Sequence, residues 1–188
     1  MQDFFSKRLR ESLAAMSRLD TTLGSLQSIA ERLHQCFHNG GTLYLCGNGG
    51  SAADAQHVAA EFVERFLKER QPLPAVALTC NTSILTAIGN DTNFSQIFAR
   101  QVKASAKPND CVAGISTSGR SANVIAALQA ARDIGATTIG FTSEAATEFA
   151  TLCDLCFRAP STETPRIQEC HLVAWHLICE AVENSVRD

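Results

Sequence analysis

Two short polar loops constrain this chain more than any other feature: Cys46-Gly47-Asn48-Gly49-Gly50-Ser51 and Ser116-Thr117-Ser118-Gly119-Arg120-Ser121, each set between an apolar run and a helical stretch. The preceding runs, Thr42 to Cys46 and Cys111 to Ile115, read as buried strands because they are short, apolar and followed at once by turn residues. A strand that feeds a helix through Gly and Ser leaves backbone N–H groups and hydroxyls at the positive end of the helix dipole, where an anion is favoured. Ser116, Thr117, Ser118 and Ser121 crowd hydroxyls around one helix start, more than a single N-cap requires. The expected ligand is a phosphorylated small molecule. Neither the Gly-x-x-x-x-Gly-Lys-Ser/Thr cradle of nucleotide enzymes nor the Gly-x-Gly-x-x-Gly of dinucleotide enzymes occurs.

The rest of the chain fits a doubly wound sheet. Spaced apolar positions at Leu9, Leu13, Met16, Leu19, Leu23, Leu26, Ile29 and Leu33, with no proline, predict two helices over 3–38, stopped by Asn39-Gly40-Gly41. Further apolar runs at Ala75 to Leu78, Thr137 to Phe141 and Leu155 to Phe157 bring the strands to five. Their apolar character is continuous rather than alternating, so the sheet should be parallel, with helices on both faces and ligands at the strands' carboxyl ends. A last helix is expected from about Pro165 to Val186, with proline in its first turn. Lys68-Glu69-Arg70-Gln71-Pro72 reads as an exposed excursion. We expect one domain over 1–188, with the helices of 3–38 packing on it or on a neighbouring subunit.

Composition excludes several classes of partner. The 188 residues carry 16 basic and 19 acidic side chains, a formal charge of -3, so no global field draws nucleic acid or an anionic membrane. No run approaches the ~18 apolar residues of a membrane helix, and no basic segment followed by an apolar stretch opens the chain; a cytoplasmic protein is expected. Of the eight cysteines, Cys36, Cys46, Cys80, Cys111, Cys170 and Cys179 lie in or beside apolar patterns and read as core thiols. Cys153 and Cys156 form a C-x-x-C without the second pair of a zinc ribbon.

Few residues suggest chemistry by themselves. His57 and Glu61, four apart on the helix after the first loop, share one face about 6 Å apart along the axis, where a metal or substrate could touch both or where they form an ordinary solvated pair. Gln168 and His176, eight apart on the last helix, are separated by roughly 12 Å of rise and about 80° of rotation, a wide gap for one ion. His171 is as much a packing or hydrogen-bonding residue as a ligand. His34 and His38 suit the negative end of their helix. Arg65 either holds an anion or is solvated.

At these residues the chain resembles the sugar isomerase (SIS) fold family, and within it the phosphoheptose isomerases. The resemblance rests on Cys46 to Ser51 continuing through Ala52 to His57, on Gly89-Asn90-Asp91, on Gly114 to Ser121 followed by Ala122-Asn123-Val124, and on Arg166-Ile167-Gln168-Glu169. It implies an aldose-ketose isomerase acting on sedoheptulose 7-phosphate through an enediol, feeding heptose and surface polysaccharide synthesis. It further implies a homotetramer with active sites between subunits, and one zinc ion held by His57, Glu61, Gln168 and His176. Glu61 and His176 would be the acid-base pair. Asn48, Gly49, Gly50, Ser51, Arg65, Asn90, Asp91, Ser116, Thr117, Ser118, Ser121 and Gln168, with Glu61, would surround the substrate, and Glu163 would face hydroxyls or a neighbour. The alternative is a non-catalytic SIS binding module similar to the replication-initiator-associating protein, which lacks the isomerase pair. One departure is Thr142-Ser143-Glu144-Ala145-Ala146-Thr147, where the isomerases have a glycine-rich turn and this sequence favours helix.

Overall fold

Alternating apolar strands and amphipathic helices leave the chain one economical arrangement, a sheet covered on both faces. The computed structural model describes residues 1–186. Two N-terminal helices, α1 (Gln2–Ser17) and α2 (Leu23–His38), are joined by a 3-10 turn at Leu19–Thr22. There follow β1 (Leu43–Gly47), α3 (Gly50–Val63), β2 (Ala75–Ala77), α4 (Thr82–Asp91), a 3-10 turn at Phe94–Gln96, α5 (Ala99–Ser105) and β3 (Cys111–Ile115). The chain then forms α6 (Ala122–Ile134), β4 (Thr137–Ser143), α7 (Thr147–Ala150), β5 (Leu155–Ala159) and α8 (Thr164–Ser185).

The five strands pair in parallel in the order β2-β1-β3-β4-β5. Successive side chains of a strand point to opposite faces. Leu43, Leu45, Ala113, Ile115 and Phe141 therefore meet α2, α3 and α8 through Leu33, Phe62 and Trp175, while Tyr44, Cys46 and Val112 meet α5 and α6 through Val102, Val124 and Leu128. The chain leaves β1 toward one edge of the sheet and β3 toward the other. That reversal opens a crevice between the two loops, the usual ligand position in such sheets. No described helix is long and apolar enough to cross a membrane.

Three local expectations need correction. Cys80 is exposed, in the turn that leads to the α4 cap residue Asn81, whereas Cys36, Cys46, Cys111, Cys170 and Cys179 are buried thiols as expected. The 68–72 excursion is exposed as expected at Lys68, Glu69, Gln71 and Pro72 but is anchored at Arg70, whose side chain is 4% exposed, donates to the Glu61 and Phe62 carbonyls and faces Glu183 at 3.3 Å. Glu183 in turn accepts the N–H groups of Phe66, Leu67 and Lys68. Burial raises the Glu183 pKa, but those three N–H bonds and Arg70 outweigh it and hold the carboxyl below its ordinary range. The 142–147 stretch is mostly not helical. Thr142 and Ser143 extend β4, pairing with Arg158 and Ala159 of β5, and the helix begins only at Thr147. Strand pairing of a β-branched residue overrides the weak helix preference of the segment.

Candidate active site

The two loops are built to different tolerances around one crevice. In the first, a Cβ on Gly50 would stand 2.6 Å from Gln168 Nε2, so the α8 glutamine lies directly on this loop and would have to swing aside for a side chain there. Ser51, in the first turn of α3, is buried. In the second, Gly119 takes φ 66°, and a Cβ there would strike Ala146 and Phe149, so loop and α7 are in close contact. Ser116 Oγ and Ser121 Oγ lie 2.9 Å apart, and Thr142 Oγ1 donates to the Ser116 carbonyl at 2.8 Å. The loops are tied together by a reciprocal amide pair: Asn48 Nδ2 donates to Asn123 Oδ1 at 2.9 Å and Asn123 Nδ2 to Asn48 Oδ1 at 2.8 Å. From the sequence, Asn123 carried no role and Thr142 stood out only as the start of the 142–147 departure. A polar residue just inside a helix N-terminus was the available signal for the former.

Thr117, Ser118, Gly119 and Arg120 line a cleft of about 480 Å³ together with Thr147 and Glu148 of α7, Thr162 and Thr164. Hydroxyls and a positively placed helix start make it suited to an anion.

Helices α3 and α8 run side by side in parallel register: Gly50 meets Gln168, His57 meets His176, and the residues just past α3 meet Glu183. This seam collects the acid-base candidates. His57 Nε2 lies 3.1 Å from His176 Nε2 and 3.3 Å from Glu61 Oε1, with the Phe66 ring 5.5 Å from that of His176. A neutral imidazole has one N–H, so a hydrogen bond between the two histidines requires one Nε2 to donate and the other to accept. The two separations approach the ~3.3 Å edge of a tetrahedron around an ion with bonds of about 2.0–2.1 Å. Among the described residues, however, no three His, Cys, Asp or Glu side chains close into a cation site. The trio is an open flank that lacks a fourth donor. Gln168 lies at the loop end of the seam, and the structure does not bring it into hydrogen-bond contact with the trio.

The remaining candidates scatter. Arg65 lies past the end of α3 and pairs with Glu69. Asn90 and Asp91 end α4, hydrogen-bonded to each other at 2.8 Å on a helix with no buried residue. Glu163 pairs with Arg8, and His34 Nδ1 meets the Ser185 hydroxyl. His171 is structural: its Nε2–H donates to the Thr142 carbonyl at 3.1 Å between Phe141 and Phe157, and burial pushes its pKa down to about 4. Asp54, one turn before His57, has a buried Oδ2 without a partner. Burial lifts its pKa although His57 pulls it down.

Comparison with known proteins agrees with this geometry. The SIS domain family model matches residues 7–143. The chain is 54% identical over 168 residues to a phosphoheptose isomerase of Roseiflexus sp. strain RS-1, covering 89% of this chain and 85% of that one. It is 48% identical over 187 residues to the phosphoheptose isomerase of Trichlorobacter lovleyi, covering 99% and 95%. The structure of a phosphoheptose isomerase from Neisseria gonorrhoeae superposes with a TM-score of 0.92 at 40% identity, covering 98% of this chain and 99% of that one. The family model stops short of α8, but the full-length relatives reach past His176. A parallel sheet with its crevice between β1 and β3, a glycine-rich and a hydroxyl-rich loop there and a Glu-His seam beside them thus belong to a chain of the SIS domain family, in its phosphoheptose isomerase branch.

Proposed function

We propose that the protein interconverts sedoheptulose 7-phosphate and D-glycero-D-manno-heptose 7-phosphate through an enediol, in the supply of heptose for surface polysaccharide. The observation that carries this reading is the placement of Glu61 and His176, bridged by His57 at 3.3 and 3.1 Å, beside two phosphate-suited loops. Ser51, Ser116, Thr117, Ser118 and Ser121 hold the phosphate, with Asn48, Gly49 and Gly50 closing the other side of the crevice. Glu61 takes the proton from C1 of the ketose and returns it to C2 of the enediol. His176 removes the O1 proton and delivers one to O2, so that no proton is gained or lost overall. His57, within reach of both, restricts their rotamers. Gln168 lies where it can bond a substrate hydroxyl. The coexistence of Glu61 and His176 on one seam favours catalysis over a binding module.

A zinc ion would be held by His57, Glu61 and His176, whose mutual spacing is the support for it, whereas Gln168 meets α3 about two turns nearer the loops. Zinc bound there supplies a Lewis acid that polarises the substrate carbonyl. A homotetramer with sites between subunits is supported by apolar side chains without cover: Phe5, Leu9 and Leu13 on α1, Ile84 on α4 and Phe94. Asn90 and Asp91 on α4, remote from their own chain's seam contacts, then face a neighbour's crevice.

The test is conversion of sedoheptulose 7-phosphate by wild type, Glu61→Gln and His176→Ala, with metal content measured in each and zinc added back. Turnover by wild type that collapses in folded variants supports the reading. No turnover by zinc-loaded, tetrameric wild type overturns the substrate assignment.

A further inference from the structure

The cleft beside the second loop carries two charged side chains in its lining, Arg120 and Glu148; the rest are hydroxyl, small or apolar residues. A phosphate dianion held only by neutral hydroxyls and N–H groups keeps most of its charge uncompensated. The state of Arg120 is the informative part. Most described arginines are already engaged: Arg18 with Glu144, Arg32 with Thr137, Arg132 with the Leu152 carbonyl, Arg166 with Glu169. The Arg120 guanidinium has no hydrogen-bond or ion-pair partner among the described residues, although its backbone N–H donates to Ser118 Oγ. Arg10 and Arg100 share that condition, but only Arg120 belongs to a phosphate loop.

Its backbone is also fixed. Gly119, at φ 66°, is wedged against Ala146 and Phe149, and Ser121 on the other side is bonded to Ser116. Arg120 therefore leaves the loop from a rigid base at the rim of the cleft, with a fork of donors suited to two phosphate oxygens. Glu148, in the lining of the same cleft, has the sign that repels the same anion.

We infer that Arg120 is a phosphate-binding residue, the cationic clamp of the second loop, and that Glu148 opposes it and limits how tightly phosphate is held. The inference rests on the phosphosugar reading above and adds to it the residue that makes the site prefer a dianion over a neutral sugar. Since the phosphate is remote from C1 and C2, the clamp acts on binding more than on the chemical step.

The experiment measures inorganic phosphate affinity by titration calorimetry for wild type, Arg120→Lys, Arg120→Ala and Glu148→Gln, with kcat and KM for sedoheptulose 7-phosphate in parallel. Arg120→Ala is expected to weaken phosphate about tenfold and to raise KM comparably with a much smaller change in kcat, while Arg120→Lys falls between. Glu148→Gln is expected to tighten phosphate by about two- to threefold. Phosphate affinity equal in wild type and Arg120→Ala overturns the inference, as does a wild type that binds no phosphate at millimolar concentration. Failure of wild type to turn over the heptulose sinks the substrate assignment instead, and the phosphate titration still decides the role of Arg120.

Discussion

The two-loop cradle and the α3–α8 seam adjoin each other where Gly50 meets Gln168 and are built in opposite ways. The cradle is closed on itself: Ser116 to Ser121, Thr142 to Ser116 and the double bond of Asn48 with Asn123 are satisfied before any ligand arrives. The seam is open, with the His57 side chain 46% and Glu61 21% exposed and only two short contacts joining the trio. Groups that bind a fixed charge gain from being locked in advance. Groups that must exchange protons need unsatisfied valences facing the substrate. On the proposed function, binding falls to the internally bonded loop pair and chemistry to the open helix pair.

Glu61→Gln is the sharpest way to test that division. It should lower kcat by about a hundredfold to ten-thousandfold in steady-state assays, the range for a lost acid-base group, while urea unfolding changes little. A large loss of stability instead would mean that the seam is structural and the comparison is wrong. Glu183→Gln probes the same seam at its far end and should do the reverse, costing about 3–5 kcal/mol in urea unfolding because Arg70 is left buried without its partner.

His171, which supports the cradle through the Thr142 carbonyl, sets a pH dependence. Its pKa is about 4 in the folded chain against an ordinary 6.5, so the unfolded chain takes up a proton first. The stability this neutral histidine confers is complete above pH 6.5 and declines as pH falls from 6.5 toward 4, by about 3 kcal/mol in all. Unfolding midpoints measured at pH 7 and pH 5 should differ less in His171→Leu than in wild type. An unchanged difference would move the acid sensitivity elsewhere.

Smaller effects distinguish a tied loop pair from two independent loops. Asn123→Ala should cost about 1–3 kcal/mol, leaving Asn48 without its partner, and adding Asn48→Ala should cost little more. Additive losses in that double-mutant cycle would show that the loops are not coupled. Thr142→Val removes one hydroxyl from a buried bond and should cost about 1 kcal/mol, with a modest rise in KM as the second loop loosens.

How much of this was legible in the sequence follows from the range of each interaction. The strands and the two loops were readable because continuous apolar runs and Gly/Ser turns are local signals, and β3 was placed at its observed bounds, Cys111–Ile115. The doubly wound parallel sheet followed from those runs. The pairing of Asn48 with Asn123 and the burial of Arg70 against Glu183 span 75 and more than a hundred residues, and nothing local announces them. Composition misled at Arg70, where a charged, proline-ended stretch looked solvated although its guanidinium caps α3. Helix preference misled at 142–147, where pairing with β5 decides. His57 and Glu61 were recognisable as a pair from spacing alone. Bringing His176 to them depended on the parallel register of α3 and α8, which the wide Gln168–His176 spacing had made look awkward: each residue meets α3 at a different level.

That register has a consequence during synthesis. His57 and His176 are 119 positions apart, so at about 5–20 residues per second a ribosome needs roughly 6–24 s between making one and making the other. Through that interval the emerging chain can display its first phosphate loop and then its second, but it has no partner for His57, and α3 has only water where α8 will lie. The helix that carries His176 is made last, so the seam closes only after both loops and all five strands have been synthesised.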